Sequence, residues 1–503
     1  METSDREYLH VVPTPAKQSI KEDAIHYSEY KAAISVANDS LRCAAEVFAE
    51  YAVKLGVKFD IAAGTAAPHE SQIRLLLNAQ FKPGEYSLKA DGESVILSVS
   101  DDTGAGYAFA TLLQIMELPD NAVNTDKSLP CNTVLVPDCE IEDAPECSYR
   151  GMLVDLARSW HNLSYLYRYV DMCWYYKVPV LHLHFTDDQS YTLPSRLFPR
   201  VSTHGRSYTF DEMQALDEYA YARGVRIMPE IDVPGHCAAF QKEYPEIFGN
   251  DGIICQNQEA IEAMQELFKE LCDIFPHADK IHIGGDEANI KKWLECPRCM
   301  EYARSIGIDT ESGEHKTEDL LYVNFVVKMA EAVFSTGRTP VVWEGFPEYM
   351  NDRIPRDMLV MSWENYFQLT PSLLNAGFTI INCSWNPMYI VTPEPVWPPQ
   401  ELYDWSIYKW MPVHPESPLK GIGYKAEPTE QIIGGQLLAW GDRLPGFATP
   451  EEGADAELAL LKERIPYLAE NTWNREKKLP FETIEQTVKY TNARLDKILS
   501  VRI

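Results

Sequence analysis

Lys280-Ile281-His282-Ile283-Gly284-Gly285-Asp286-Glu287 carries a short apolar, β-branched run straight into two neighbouring carboxylates. Like charges this close raise each other's pKa, and burial raises them further, so such a pair is expensive to keep at a strand end. One carboxyl protonated beside one ionised is the natural resting state. An acid beside an anion is also the working pair of glycoside chemistry. Taken alone, the stretch reads equally well as a strand running into an acidic loop whose Asp-Glu caps the next helix.

Reading outward from this run, short apolar segments alternate with longer helical ones from Tyr149 onward. Eight such runs are expected as strands: Gly151 to Ala157, Val180 to Thr186, Val225 to Asp232, Lys280 to Glu287, Pro340 to Gly345, Leu359 to Asn365, Phe378 to Trp385 and Ile432 to Trp440. Helices are expected at Ser164 to Tyr176, with Ser164 as cap, and at Asp211 to Arg223, Gln258 to Phe275 and Thr317 to Thr336. Eight alternations indicate an α/β fold of the (β/α)8 TIM-barrel type. A doubly wound open sheet would want a Gly-rich phosphate turn after its first strand, and the sequence has none there.

Residues 1–145 read as a smaller α+β domain preceding the barrel. Its helices are expected at Ala44 to Val57 and Gly104 to Leu118, with a strand-rich stretch at Tyr86 to Val99. The acidic, proline-bracketed segment Val136 to Pro145 reads as a linker. Residues 146–503 then hold the barrel with a C-terminal helical extension.

The 503 residues suffice for a barrel of about 250 residues plus this smaller module. A formal net charge of −30 argues against nucleic acid or an anionic membrane as partner, since both call for basic surface. No run of about 18 apolar residues offers a membrane span. The polar stretch Met1 to Lys17 lacks the apolar segment of a signal peptide, so the chain is expected to be cytoplasmic or to have had a leader removed. Eleven cysteines scattered from Cys43 to Cys383 do not form a dense disulfide framework and are expected to be mostly reduced. Cys296-Pro297-Arg298-Cys299 has metal-ligand spacing, but no second CxxC accompanies it, so a pair of thiols flanking a helix is the simpler reading.

In a barrel, reactive groups belong at the C-terminal ends of the strands. Those ends carry Arg158, Asp187-Asp188-Gln189, Glu230 and Asp232 followed by His236, Asp286-Glu287, Trp343-Glu344, Trp363-Glu364, Trp385 with Tyr389, and Trp440 with Asp442. Indole faces pack against the C–H faces of sugars, while carboxylates and a guanidinium hold hydroxyls. The set describes a carbohydrate pocket; a single large aromatic can instead fill a barrel interior, but three of them at strand ends favour the pocket.

The runs Leu153-Val154-Asp155-Leu156-Ala157-Arg158, Leu181 to Gln189, Pro229 to His236 and His282 to Glu287 together resemble the family 20 glycoside hydrolases, the β-N-acetylhexosaminidases. The resemblance covers roughly residues 148–445, and the N-terminal module is similar in position to that family's accessory domain. It implies a retaining exo-enzyme that releases terminal β-linked N-acetylglucosamine, with N-acetylgalactosamine left open. The substrate's own 2-acetamido group would replace the enzymic nucleophile and form an oxazolinium intermediate. By the same resemblance Glu287 is the general acid and base, Asp286 holds the acetamido N–H, and Tyr389 donates to the acetamido oxygen. Trp343, Trp363 and Trp440 wall the acetamido methyl, Arg158 reads sugar hydroxyls, and Asp187 and His236 support the acid. No cofactor or metal is implied.

Two positions depart from the family pattern. Val391 stands where an aspartate is common, and Asp442 where a longer glutamate is. Trp405, in the aromatic segment Trp397 to Trp410, is a candidate to take over the lost sugar contact. Two rival readings stay open at this point. One is a two-carboxylate glycosidase with Glu344 or Glu364 as nucleophile on a sugar without an acetamido group; the other is a non-catalytic sugar-binding barrel. The natural glycan, the linkage and the oligomeric state are not legible in the sequence.

Overall fold

The computed structural model describes residues 8–20, 25–63, 72–117, 133–310, 315–391, 397–443, 446–476 and 479–500. Leu118, the expected end of the second helix, lies outside them, as does the start of the polar N-terminal stretch.

Eight parallel strands close into a barrel: β1 (Tyr149–Asp155), β2 (Val180–His184), β3 (Arg226–Glu230), β4 (Lys280–His282), β5 (Thr339–Trp343), β6 (Leu359–Ser362), β7 (Thr379–Asn382) and β8 (Ile432–Ala439). Each pairs with the next, and β8 pairs with β1 from Tyr149 opposite Gly434 to Val154 opposite Ala439, so no edge is left open. Helices Leu163–Tyr175, Phe210–Ala222, Gln258–Ile274, Thr317–Phe334 and Pro450–Trp473 form most of the outer ring. The return from β5 to β6 is a 3₁₀ segment, Glu348–Arg353, in place of a full helix. Pro347 and Pro355 bracket it and leave too few residues for more. Asn162, not Ser164, caps the first barrel helix: its side chain accepts from Ser164 N, because the chain turns helical two residues earlier than a Ser164 cap implies.

The largest correction concerns β4. The run expected to extend to Glu287 is a strand only over Lys280–His282, and its last bonds to β5 are Ile283 N to Val341 O at 2.9 Å and Trp343 N to Gly284 O at 3.0 Å. Gly284 and Gly285 both take left-handed backbone, at φ of 71° and 110°. That double turn lifts Asp286 and Glu287 off the strand. A Cβ on Gly284 would sit 2.0 Å from Asp232 Oδ1 and 2.5 Å from its Cα, so the β3 loop closes over this turn only because the side chain is absent.

In front of the barrel lies a seven-stranded mixed sheet with Arg42–Lys54 and Asp102–Ile115 as its helices. The segment expected to be a linker is part of it. Cys139–Asp143 is a strand between Lys17–Ile20 and Tyr86–Ala90, with Cys139, Ile141 and Asp143 buried and Glu140 and Glu142 exposed. The acidity is simply the solvent face of a period-two pattern. Asp143 accepts from Tyr86 Oη at 2.6 Å and from Trp473 Nε1 at 2.8 Å, and lies 3.5 Å from Lys177 Nζ, which ties the sheet to the barrel's helices. Burial pushes Lys177 down to about 8, and Asp143 counters that. On the other side Tyr51 stacks on Trp174 at 4.2 Å and its hydroxyl donates to Asp171 at 2.6 Å.

Gly284→Ala is expected to lower stability by about 2–4 kcal/mol, the combined cost of a left-handed alanine and a steric overlap with Asp232. A thermal melt reads it as a drop of several degrees; an unchanged midpoint would contradict the close approach described here.

Candidate active site

A polar layer fills the barrel interior at the C-terminal ends of β2, β3 and β4. His182 and His184 alternate along β2 and therefore face the same side, Glu230 ends β3, and His282 ends β4. All four are fully buried. His184 Nδ1 lies 2.5 Å and His182 Nε2 3.1 Å from Glu230 Oε2, while His282 Nδ1 lies 2.9 Å from Oε1. The Trp343 indole N–H donates to Oε1 at 2.6 Å. Burial alone would push Glu230 up; the three imidazoles outweigh it and hold the carboxyl well below its ordinary range. For His184, burial disfavours the proton, but Glu230 and Asp187 hold it well above its ordinary value.

From this layer a chain of contacts leads outward. His184 Nε2 lies 3.2 Å from Asp187 Oδ2, which receives Arg158 Nη2 at 2.7 Å and faces His236 Nδ1 at 3.3 Å. His236 Nε2 in turn stands 3.7 Å from Glu287 Oε2. Arg158 is fixed further by Asp155 at 3.0 Å and lies 3.6 Å from Asp442, with its guanidinium over the Trp440 ring at 5.3 Å. Burial works against a charge on His236, yet Asp232, Asp187 and Asp286 push it up to about 11, so it is an imidazolium at neutral pH.

The two acids of the loop after β4 occupy different surroundings. Asp286 is 9% exposed, and its Oδ1 is buried with no hydrogen-bond partner in the protein. The Glu287 side chain is 53% exposed and sits at φ of 50°. Its carboxyl is raised by burial and by Asp286, against the pull of His236 and Arg158. Asp232 is raised well above its ordinary value by burial and by Asp286, and accepts from Gly285 N at 3.2 Å.

The aromatic groups form one connected wall. Trp343 and Trp440 have ring centroids 6.0 Å apart, Trp440 and Tyr389 6.1 Å, and Tyr389 and Trp363 stack at 6.0 Å. Trp363 Nε1 and Trp440 Nε1 are buried without a protein partner. Burial holds the Tyr389 phenol well above its ordinary value, so it remains a donor, and the Asp286 charge is felt there as well.

The structure thus brings together Arg158, Asp187, His236, Asp286, Glu287, Trp343, Trp363, Tyr389, Trp440 and Asp442. It does not bring Trp405. That indole is 2% exposed, donates to Lys409 O at 3.0 Å, and lies against Gly435 midway along β8, so it packs the barrel wall. Glu344 and Glu364 are likewise consumed. Glu344 accepts from Ser362 Oγ at 2.6 Å and from backbone N–H groups, and Glu364 accepts from Val413 N and His414 N, both at 2.9 Å. Burial pushes Glu344 up to about 8. Sequence reasoning passed over Asp155, His184 and His282, and left Trp385 without a role although it stacks on Tyr389 at 4.3 Å. The His-x-His alternation in β2 and the three-residue spacing of Asp155 and Arg158 were the available signals.

Comparison with known families matches residues 147–476 to "Glycosyl hydrolase family 20, catalytic domain" and residues 8–144 to "Glycosyl hydrolase family 20, domain 2". A beta-hexosaminidase of Akkermansia muciniphila is 32% identical over 287 residues, covering 51% of this chain and 55% of its own length. A beta-hexosaminidase of Vibrio furnissii is 28% identical over 378 residues, covering 67% and 58%. The chain therefore spans little more than half the length of these relatives. Among solved structures, the exo-β-N-acetylglucosaminidase from Vibrio harveyi in complex with N-acetylglucosamine superposes with a TM-score of 0.77 at 21% identity, over 98% of this chain and 79% of that one. The β-N-acetylhexosaminidase from Bacteroides fragilis does so with a TM-score of 0.75 at 19% identity, over 97% and 96%. At such identities the structural likeness speaks for the fold.

A group whose folded pKa lies above its unfolded value adds stability that is full below the unfolded value and fades as pH rises through the folded one. For His236 that window runs from the ordinary value of 6.5 to about 11. Wild-type melting temperature is expected to fall more steeply across this window than that of His236→Gln. Parallel slopes would show that His236 holds no such proton.

Proposed function

This chain belongs to glycosyl hydrolase family 20, and on that premise we propose that it is a retaining exo-β-N-acetylhexosaminidase that releases terminal β-linked N-acetylglucosamine by substrate-assisted catalysis. The observation that carries the reading is the orphaned Asp286 Oδ1, a buried acceptor close to an aromatic wall. A buried acceptor without a donor is costly, and the N–H of a sugar's acetamido group is the donor it lacks.

In this scheme Glu287, half exposed and raised by burial and by Asp286, protonates the leaving glycosidic oxygen. The acetamido carbonyl oxygen attacks the anomeric carbon from the opposite side, which closes an oxazolinium ring and expels the aglycone. Asp286 holds the ring N–H and offsets its positive charge, while Tyr389 donates to the acetamido oxygen before attack. Trp343, Trp363 and Trp440 confine the methyl, so that the group stays in the attacking orientation. Glu287, now a carboxylate, takes a proton from the incoming water, and the second inversion at carbon restores the β configuration. Arg158 reads sugar hydroxyls, supported by Asp155 and Asp187. Val391 packs against the core and offers no hydrogen bond, which leaves Arg158 and Asp442 to read the outer hydroxyls.

The names of the relatives support this substrate class: each of the two described above is a beta-hexosaminidase. The two-carboxylate alternative loses its nucleophiles, because Glu344 and Glu364 are buried and engaged in holding loops. The non-catalytic reading would call for a lost acid, and Asp286, Glu287 and Tyr389 are all present.

Glu287→Gln is expected to cost about 10²–10⁴ in kcat on an aryl β-N-acetylglucosaminide, with the smaller loss on the better leaving group. Equal rates would remove Glu287 from its role. The corresponding aryl β-glucoside, which lacks the acetamido group, is expected to go unhydrolysed; turnover at a comparable rate would refute the substrate-assisted scheme.

A further inference from the structure

Cys296 and Cys299, a pair with no evident use in the sequence, are joined in the structure by a third thiol. Cys255 Sγ lies 3.8 Å from Cys296 Sγ and 3.6 Å from Cys299 Sγ. All three ligand atoms fall within 4.8 Å of one another, and all three cysteines are free of disulfides. A disulfide needs about 2.05 Å between sulfurs, far less than either separation. Sulfurs bound about 2.3 Å from one tetrahedral zinc stand about 3.8 Å apart, which matches both separations from Cys255.

The surroundings suit thiolates. Cys296 stands at the N-cap position of the helix Pro297–Ser305, without a side-chain capping bond, and Cys299 lies in its first turn, so both residues belong to the positive end of that helix. Gln256 N donates to Cys299 Sγ at 3.2 Å and Asn257 Nδ2 to Cys255 Sγ at 3.1 Å. Backbone and amide donors of this kind orient metal-bound sulfur and offset its charge. Cys255 and Cys299 are 4% and 1% exposed, which protects them from oxidation, while Cys296 is partly open.

We propose that Cys255, Cys296 and Cys299 bind one zinc ion, with the fourth place taken by water, since among the described residues no further His, Cys, Asp or Glu joins the cluster. On binding, three thiol protons pass to solvent and three Zn–S bonds form. The site is a staple between two loops. Cys255 belongs to the connection after β3, which also carries His236; Cys296 and Cys299 belong to the connection after β4, which also carries Asp286 and Glu287. One existing bond crosses the same seam, Trp293 Nε1 donating to Ile254 O at 2.9 Å, and Ile254 is itself held within its own loop by donating from N to Pro234 O at 2.9 Å. A metal there would hold the acid's loop against the loop of its histidine neighbour without touching the sugar.

The test is the metal content of the full chain, purified without chelator and measured by inductively coupled plasma mass spectrometry. One zinc per chain is expected, released stoichiometrically by a mercurial thiol reagent. Cobalt(II) in its place is expected to give thiolate-to-metal charge-transfer bands. Cys255→Ser is expected to lose the metal, while Cys43→Ser, at an exposed thiol elsewhere, keeps it. If Cys255→Ser fails to fold, the cobalt spectrum of the wild type decides. Failure of the reduced wild type to bind zinc or cobalt would overturn the proposal. So would metal retained by Cys255→Ser, or a disulfide linking two of the three in the native chain. Loss of hydrolysis is not the readout, so the metal site and the proposed activity stand or fall separately.

Discussion

Glu230 has no access to water, so its charge must be met inside the barrel. Three imidazoles from β2 and β4 and the Trp343 indole N–H meet it. Much of the site's geometry descends from that requirement. The bond to Trp343 fixes one indole of the wall. The bond to His184 orients the imidazole that meets Asp187, and Asp187 gathers Arg158 and His236. A buried carboxylate left unpaired would be strongly destabilising, whereas one met at both oxygens is held in a single place.

The second constraint is the break in β4. Neighbouring residues on a continuous strand point to opposite faces, so Asp286 and Glu287 would be split between barrel interior and helix layer. Two left-handed glycines undo that alternation and give each acid its own environment. Asp286 ends buried with an unsatisfied oxygen, and Glu287 ends half exposed beside His236. Different surroundings, not different chemistry, distinguish the two carboxylates.

Much of this was legible along the chain. The eight apolar runs marked the strands, since period and length are local properties, and the strand ends named most of the cluster. Where the reading failed, the missing fact was a distant neighbour. Acidic Cys139–Asp143 reads as a linker until its strand partners on both sides show Glu140 and Glu142 to be only its wet face. Trp405 reads as a sugar platform until Gly435 leaves room for it in the barrel wall.

The sequence by itself determined the alternation of strand and helix, the order of the carboxylates and indoles, and the family to which they belong, because each rests on residues close in the chain. Only the tertiary structure decided which acids remain available. Glu344 and Glu364 are spent on backbone N–H groups and Glu230 on its histidine neighbours, while Asp286 at the same mouth keeps a buried oxygen unpaired. It also brought Cys255 to a pair about forty residues further along the chain. Hydrogen-bond satisfaction is a property of all the groups that meet in space, and barrel closure sets which ones meet.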